Sequence, residues 1–444
     1  MGKYFGTDGA RGIAGKQITG ALAYKIGRFI GQYPEGKKNK ILIARDTRIS
    51  GKLLADAVGV GVVSSGSDVY DIGVSTTPSV SYLVRKHGFD FGVMISASHN
   101  PYYDNGIKVF NAEGEKLEAE IEEKIEEYID NPNDDLPLMT NDQIGRHVPC
   151  DDLLEEYIDF LVKKADPKVK NLKVYIDCSN GSSSFIAPEV LRRLGVDFTV
   201  VAHEPNGLNI NDRCGSTKIE NNSETVAKGG FDIAFAFDGD ADRCLAMTSE
   251  GKVIDGDQLI YLNALNMRKN GKLSGNTVVI TVMSNLGLKK ALAAEGLDYH
   301  ETAVGDKYVQ MDMKANNLSI GGEQSGHIIF LDDLNTGDGV LTMIHTLNVV
   351  ASEGKSLQEL VKNLKIYPQS LKNVVVTNKE AILSHEGFKA KIAEIEESLK
   401  GNGRILVRPS GTEPKIRVMC EAPTQEQCDE ITTVLANYVE DISQ

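Results

Sequence analysis

Short aliphatic and β-branched runs alternate with amphipathic stretches along most of the chain. "KILIARDTR" (40–48) leads into Leu53, Leu54, Ala57 and Val58. "KVYIDCSNGSS" (173–183) leads into Val190, Leu191 and Leu194, and "TVVITVMSNLG" (277–287) into Leu288, Ala291 and Leu292. A strand-length apolar run followed by spacing near 3.6 residues predicts βαβ units in largely parallel, mixed sheets. The repetition predicts three related α/β domains. The last stretch reads differently: strand 373–377, helix near 380–400, strands 404–408 and 415–421, helix 425–440. Adjacent strands without an intervening helix predict a smaller α+β domain.

Boundaries follow from composition. Leu117, Ile121, Ile125 and Ile129 recur at four-residue spacing on an otherwise acidic helix. The segment 131–150 after it is rich in Pro, Asn and Asp. Further breaks fall near 250, after "CLAMTSEGK", and near 366–373, at "KIYPQSLKN". The expected domains are therefore 1–150, 151–250, 251–368 and 369–444.

Composition narrows the function classes. With 48 basic and 63 acidic side chains the net charge is −15, which disfavours nonspecific binding to nucleic acid or anionic membrane. An anionic substrate would have to be met by locally gathered Lys and Arg. The six cysteines form no Cys-x-x-Cys pair, arguing against a disulfide framework or a zinc site. No apolar run reaches membrane-spanning length, and the expected location is cytoplasmic.

Four loops carry candidate chemistry. In "MISASHNPYYDNGIKVF" (94–110) a strand ends on Ser96 and Ser98, turns through His99, Asn100 and Pro101, and resumes at Lys108. A turn alone needs Asn and Pro but not Ser, His or Lys. No Gly-x-Ser-x-Gly elbow surrounds Ser98, so a Ser-His-Asp hydrolase fits poorly. In "FDIAFAFDGDADRCLA" (231–246) a strand ends in Asp238, Asp240 and Asp242, three mutually repelling carboxylates suited to a hard cation such as Mg²⁺. A calcium EF-hand is excluded because Arg243 and Ser249 stand where Gly and Glu are needed. A dehalogenase-type phosphotransferase with Asp238 as nucleophile stays open, although Asp242 departs from that pattern.

"RILVRPSGTEPKIRVMCEA" (404–422) sets Arg408, Ser410, Gly411, Thr412, Lys415 and Arg417 around a turn that suits a phosphate dianion. "GGEQSGHIIF" (321–330) offers Glu323 and Ser325 for hydroxyls and His327 for proton transfer. Lys307 in "VGDKYV" and Arg11 in "FGTDGARG" add cations, and "DGV" (338–340) reads as a helix cap.

These loops together, in this order and over the whole chain, resemble the α-D-phosphohexomutase superfamily. The "GTDGARG" opening and "GLNINDRCGS" (207–216) resemble its bacterial amino-sugar subgroup. Ala10 and Lys307 depart from the usual larger aliphatic residue and arginine. The resemblance implies a heart-shaped fold of three α/β domains and one α+β domain. It implies an isomerase that interconverts glucosamine 6-phosphate and glucosamine 1-phosphate, with glucosamine 1,6-bisphosphate as intermediate or activator. Ser98 would carry phosphate, and one Mg²⁺ per subunit would rest on Ser98, Asp238, Asp240 and Asp242. Arg11, His99, Lys108 and His327 match catalytic positions. Arg243, Lys307, Glu323, Ser325, Arg408, Ser410, Gly411, Thr412 and Arg417 match substrate-binding positions. A homodimer is expected, with no nucleic-acid or membrane partner. A phosphomannomutase/phosphoglucomutase would share all these catalytic residues, and a sugar-phosphate-binding regulator would keep the site without turnover.

Overall fold

The computed structural model describes residues 2–6, 8–410 and 414–443. By compactness the chain forms two units, one built from residues up to 283 with 298–361, the other from 284–297 with 362 onward.

The first unit holds three sheets. The largest has seven strands in the order Phe5–Gly6, Gly9–Ile13, Asp104–Phe110, Phe91–Ile95, Lys40–Arg45, Asp68–Val74, His147–Pro149. Lys40–Arg45 pairs in parallel with both Asp68–Val74 and Phe91–Ile95, as the βαβ pattern predicts. Its core packs Ile41, Ile43, Val93 and Ile95 against Leu54 and Val58 of helix Gly51–Ser64. Leu53, grouped with that core face in the sequence, is instead 58% exposed. The acidic helix is Ala119–Asp130, with Ile125 buried; Leu117 is buried too but precedes the helix.

The second sheet runs Val253–Ile254, Cys244–Thr248, Ile233–Phe237, Lys173–Asp177, Asp197–Val201, and the third runs Asp298–Thr302, Thr277–Thr281, Ile320–Gly322, Ile328–Phe330. One regularity positions the chemistry. In each sheet a strand with a parallel neighbour is followed by an antiparallel one, and the connecting turn carries a motif. Phe91–Ile95 and Asp104–Phe110 flank Ser98; Ile233–Phe237 and Cys244–Thr248 flank the aspartates; Ile320–Gly322 and Ile328–Phe330 flank Glu323 to His327. The sheets are thus mixed, with the antiparallel hairpins at the motif loops.

Side-chain caps fix the helix starts. Thr76 Oγ1 accepts from Ser79 N ahead of helix Thr77–His87, and Asp338 accepts from Leu341 N ahead of Gly339–Glu353, each worth about 1 kcal/mol.

The second unit contains a three-stranded antiparallel sheet, Gln369–Val375, Lys415–Glu421, Arg404–Pro409, covered by helices Glu386–Leu399 and Gln425–Ile442. Helix Leu286–Ala294, which sequence order joins to the third α/β repeat, groups with this unit; Leu286 N donates to Glu421 at 2.9 Å. All six cysteines are buried and free.

Candidate active site

The serine turn is held from beneath by buried polar groups. Arg48 is fully buried, and its Nη2 donates to Ser98 O at 2.8 Å and Asn100 O at 2.9 Å. Its Nε donates to Asp46 Oδ2 at 2.9 Å, which also accepts from Ser96 Oγ at 2.6 Å. Ser96 Oγ in turn accepts Ser98 N at 2.9 Å, and Asn211 Nδ2 donates to Ser98 O at the same distance. These contacts hold Ser98 at φ +52°, a left-handed conformation that costs a non-glycine residue about 1 kcal/mol or more. The metal loop approaches this turn closely: a β-carbon at Gly239 would lie 2.5 Å from Ser98 O, so only glycine fits.

The Ser98 hydroxyl donates to Asp238 Oδ2 at 2.6 Å. Asp238, Asp240 and Asp242 are buried and can each offer an oxygen, all within 4.8 Å of one another. Burial, reinforced by the charges of Asp242 and Asp240, holds the Asp238 carboxyl well above its ordinary range. Asp240 Oδ2 is shared between Thr77 Oγ1 at 2.5 Å and Lys108 Nζ at 2.7 Å. Asp240 Oδ1 and Asp242 Oδ1 are buried without hydrogen-bond partners. Two orphaned carboxylate oxygens beside a third carboxylate are what a hard dication would satisfy.

Cations gather around this triplet. Burial alone would lower Lys108, but Asp240, Asp8 and Asp242 raise it, so it stays an ammonium. Arg243 is raised in the same way, against burial, by Asp242 and Asp238. His99 Nδ1 lies 3.3 Å from Ser98 Oγ and 3.2 Å from Arg243 Nη1. Burial, then Arg243 and Arg11, lower its imidazole to about 4, so the ring is neutral near pH 7. Arg11 pairs with Asp8.

His327 is buried, and burial lowers its imidazole. A hydrogen bond to Asp242 and the charges of Asp306 and Asp242 outweigh this and raise it to about 8. Gly337 N lies 3.1 Å from Nε2 and donates to it when that nitrogen is unprotonated.

Glu323 Oε1 accepts Gly305 N at 3.1 Å, and Ser325 Oγ is buried without a partner. The loop is bound to the aspartate hairpin through Cys244 N, which donates to Gly326 O at 3.1 Å.

The structure therefore brings Ser98, His99, Lys108, the three aspartates, Arg243, Arg11 and His327 into one cluster. Lys307 is turned aside, its Nζ donating to Leu117 O at 2.9 Å. In the second unit Arg408 and Arg417 face each other across neighbouring antiparallel strands. Burial, then the charge of Arg417, lower the Arg408 guanidinium. Ser410 N donates to Lys415 O at 2.8 Å. Gly411 and Thr412 lie outside the described residues. Sequence reading missed Arg48, Asp46, Thr77, Asn211, Asp8, Lys116 and Asp306; Ser96 alone stood out beforehand.

Family models match the chain in order. The phosphoglucomutase/phosphomannomutase alpha/beta/alpha domains I, II and III match residues 2–135, 155–251 and 255–367, and the C-terminal domain matches 371–437. A phosphoglucosamine mutase of Lactobacillus helveticus is 46% identical over 445 residues, 99% of each chain. One of Geobacillus thermodenitrificans is 46% identical over 99% of this chain and 98% of its own. The chain belongs to the phosphoglucosamine mutase family.

Solved structures agree on the fold. A phosphoglucomutase/phosphomannomutase family protein of Burkholderia thailandensis superimposes with a TM-score of 0.80 at 22% identity, covering 100% of this chain and 99% of that one. Aspergillus fumigatus N-acetylphosphoglucosamine mutase, solved with GlcNAc-6P and magnesium, gives 0.72 at 20% identity, covering 99% and 96%. The four family domains follow one another in order along the chain, and the first three motif loops lie at equivalent hairpins of their sheets.

Proposed function

We propose that this chain is an isomerase interconverting glucosamine 6-phosphate and glucosamine 1-phosphate, on the route to UDP-N-acetylglucosamine and peptidoglycan precursors. The observation that carries the reading is the Ser98 hydroxyl seated on a buried aspartate triplet, in a member of this family. Phospho-Ser98 passes its phosphoryl group to the free hydroxyl of the sugar phosphate. The Ser98 O–P bond breaks as the sugar O–P bond forms, and the hydroxyl proton leaves to a nitrogen base. Of His99, Lys108 and His327, the neutral His99 ring has a lone pair to take it, whereas Lys108 is already an ammonium. The resulting glucosamine 1,6-bisphosphate turns round and returns its other phosphate to Ser98.

Asp238, Asp240, Asp242 and an oxygen on phosphorylated Ser98 would hold one Mg²⁺ per subunit, and the all-oxygen donor set with two orphaned oxygens supports this. When bound, the ion supplies neutralisation of charge on the transferring oxygens. Lys108 and Arg11 orient and balance that group from the protein side. Glu323 and Ser325 bind sugar hydroxyls. Arg408, Ser410, Gly411, Thr412 and Arg417 clamp the phosphate that is not transferring, and Arg243 and Lys307 also bind substrate. The domain limits near 150, 250 and 368 belong to the same proposal.

A cytoplasmic homodimer completes the proposal. Exposed Ile49, Leu53 and Val60 on and beside helix Gly51–Ser64 support a self-association face. No helix among the described residues is long and apolar enough to cross a membrane. A monomer mass by light scattering across a concentration series would remove the dimer.

The deciding experiment compares kcat/KM of the phosphorylated, Mg²⁺-loaded protein on glucosamine, glucose and mannose 6-phosphates. A large preference for the amino sugar is expected; equal or better use of the others overturns the assignment. Acid-stable phosphoserine is expected, whereas acid-labile aspartyl phosphate would move the nucleophile to Asp238.

A further inference from the structure

The charges around the site close into a ring. Lys108 Nζ lies 3.2 Å from Asp8 Oδ2, and Asp8 Oδ1 lies 2.8 Å from Lys116 Nζ. Lys116 Nζ lies 2.7 Å from Asp306 Oδ2, which is 3.6 Å from His327 Nε2. His327 Nδ1 is 3.7 Å from Asp242 Oδ2, and that oxygen is 3.4 Å from Lys108 Nζ. Basic and acidic side chains alternate all the way round. Lys108, Asp242 and His327 already have roles in the proposed transfer; Asp8, Lys116 and Asp306 do not.

Lys116 is placed with care by the chain. It closes a tight turn after strand Asp104–Phe110, in which Asn111 Oδ1 accepts from Glu113 N and Glu115 N at 3.0 and 3.1 Å. Gly114 there takes φ +69°. The side chain is 14% exposed and ends between two carboxylates from distant segments.

Two site residues are divided between carboxylates. His327 lies between two of them, Nε2 3.6 Å from Asp306 and Nδ1 3.7 Å from Asp242. Lys108 is likewise divided between Asp8 and the pair Asp240 and Asp242. Without the Lys116 ammonium, Asp8 would be balanced only by Arg11 and Lys108 and would pull Lys108 from the triplet. The Asp306 carboxylate would bear unbalanced on His327 Nε2 and turn the ring from Asp242. We propose that Lys116 is a positioning residue for phosphoryl transfer: by bridging Asp8 and Asp306 it keeps Lys108 and His327 turned toward the aspartates. The inference rests on the phosphoryl-transfer reading given above.

The test measures kcat and KM on glucosamine 6-phosphate for the Mg²⁺-loaded wild type, Lys116→Met, Lys116→Arg, Asp306→Asn and the double variant Lys116→Met/Asp306→Asn. Lys116→Met is expected to lower kcat by about 10–100-fold, with KM within about threefold because no sugar contact is lost. Lys116→Arg should recover much of that loss by restoring the charge. The double variant should be no worse than the worse single one, since both act through one bridge. Unchanged kcat in folded Lys116→Met, a rise in KM alone, no recovery in Lys116→Arg, or additive losses in the double variant would each overturn the proposal. Should Lys116→Met fail to fold, Lys116→Gln removes the same charge and carries the same test, and its unchanged kcat overturns the proposal equally. A wild type inactive on the amino sugar sinks the functional reading, whereas an active wild type with unaffected variants sinks only the bridge.

Discussion

Ser98 and Asp238 stand 140 positions apart in sequence, and the hydroxyl of one donates to Oδ2 of the other at 2.6 Å. The contact joins the hairpin turns of two separate sheets. It seats the serine oxygen at the group of carboxylates that a dication would share with a phosphoryl oxygen. Ser98→Ala is therefore expected to abolish phosphoprotein formation and to lower kcat by more than about 10³-fold, as loss of a covalent nucleophile does. Intact-mass measurement together with a turnover assay checks this. Normal turnover in the variant would remove Ser98 from the mechanism.

Asp240 Oδ1 and Asp242 Oδ1 are buried carboxylate oxygens without hydrogen-bond partners, which a bound dication would satisfy. Binding Mg²⁺ to the folded state alone should stabilise it, by about 2.7 kcal/mol at 100 times Kd. Thermal melts with EDTA and with saturating Mg²⁺ should show a rise in Tm for the wild type. Asp240→Asn and Asp242→Asn should shrink that rise, and calorimetric titration should show weakened binding. An identical Mg²⁺ response in both variants would place the ion elsewhere.

The motif loops were legible because their chemistry is local. Asp238, Asp240 and Asp242 lie within five positions, and the spacing of Ser98 and Lys108 followed from one hairpin. Their supports were not legible, for a physical reason. Arg48 and Asp46 sit at the end of strand Lys40–Arg45 in "ARDTR", where charged residues ordinarily read as a solvated strand end. Only the tertiary fold shows them buried, with the guanidinium spent on the carbonyls of a turn 50 positions away. Lys116 and Asp306 are of the same kind: each is an ordinary turn or helix-start residue until the fold pairs them. Strand pairing was half legible, because βαβ periodicity reveals parallel neighbours but the hairpins at Ser98, Asp238 and Glu323 need the turns to be recognised as connections rather than as site loops alone.

Arg48 supplies the next expectation. Removing one member of a buried ion pair leaves the other charge unpaired and costs about 3–5 kcal/mol. Arg48→Met should destabilise on that scale, since Asp46 and the carbonyls of Ser98 and Asn100 lose their donor together. Asp46→Leu/Arg48→Met should recover part of the stability but not the activity, because the serine turn is still released. Urea unfolding with parallel kinetics reads both. Full activity in a folded Arg48→Met protein would show that the turn holds itself.

Asp338 gives stability a pH dependence. Burial raises its carboxyl from 3.8 to about 6, against the Tyr157 hydroxyl at 2.6 Å and the backbone N–H groups it caps. A folded value above the unfolded one means that the contribution is fully present below pH 3.8 and is lost as pH rises through about 6. The loss amounts to roughly 3 kcal/mol by pH 8. Asp338→Asn keeps a capping side chain and removes the titration. Between pH 4 and 8 the wild type should lose stability relative to this variant, read as the difference in urea midpoints. A difference that is flat with pH would mean that Asp338 is ionised at no cost.

Arg408 and Arg417 face each other on adjacent strands of the second unit, two guanidinium forks placed to donate to one anion. Burial first, and the charge of Arg417 second, lower the Arg408 guanidinium. A phosphate dianion accepting from both forks would make charge-assisted contacts worth about 1.5–3 kcal/mol each. Arg408→Gln and Arg417→Gln should therefore raise KM for the sugar phosphate by about 10–100-fold. Lysine at either position should restore the charge but only part of the affinity, because an ammonium cannot make the planar two-point contact. Inorganic phosphate should raise the Tm of the wild type more than that of either glutamine variant. Equal KM values across wild type and variants would show that these arginines do not hold the phosphate.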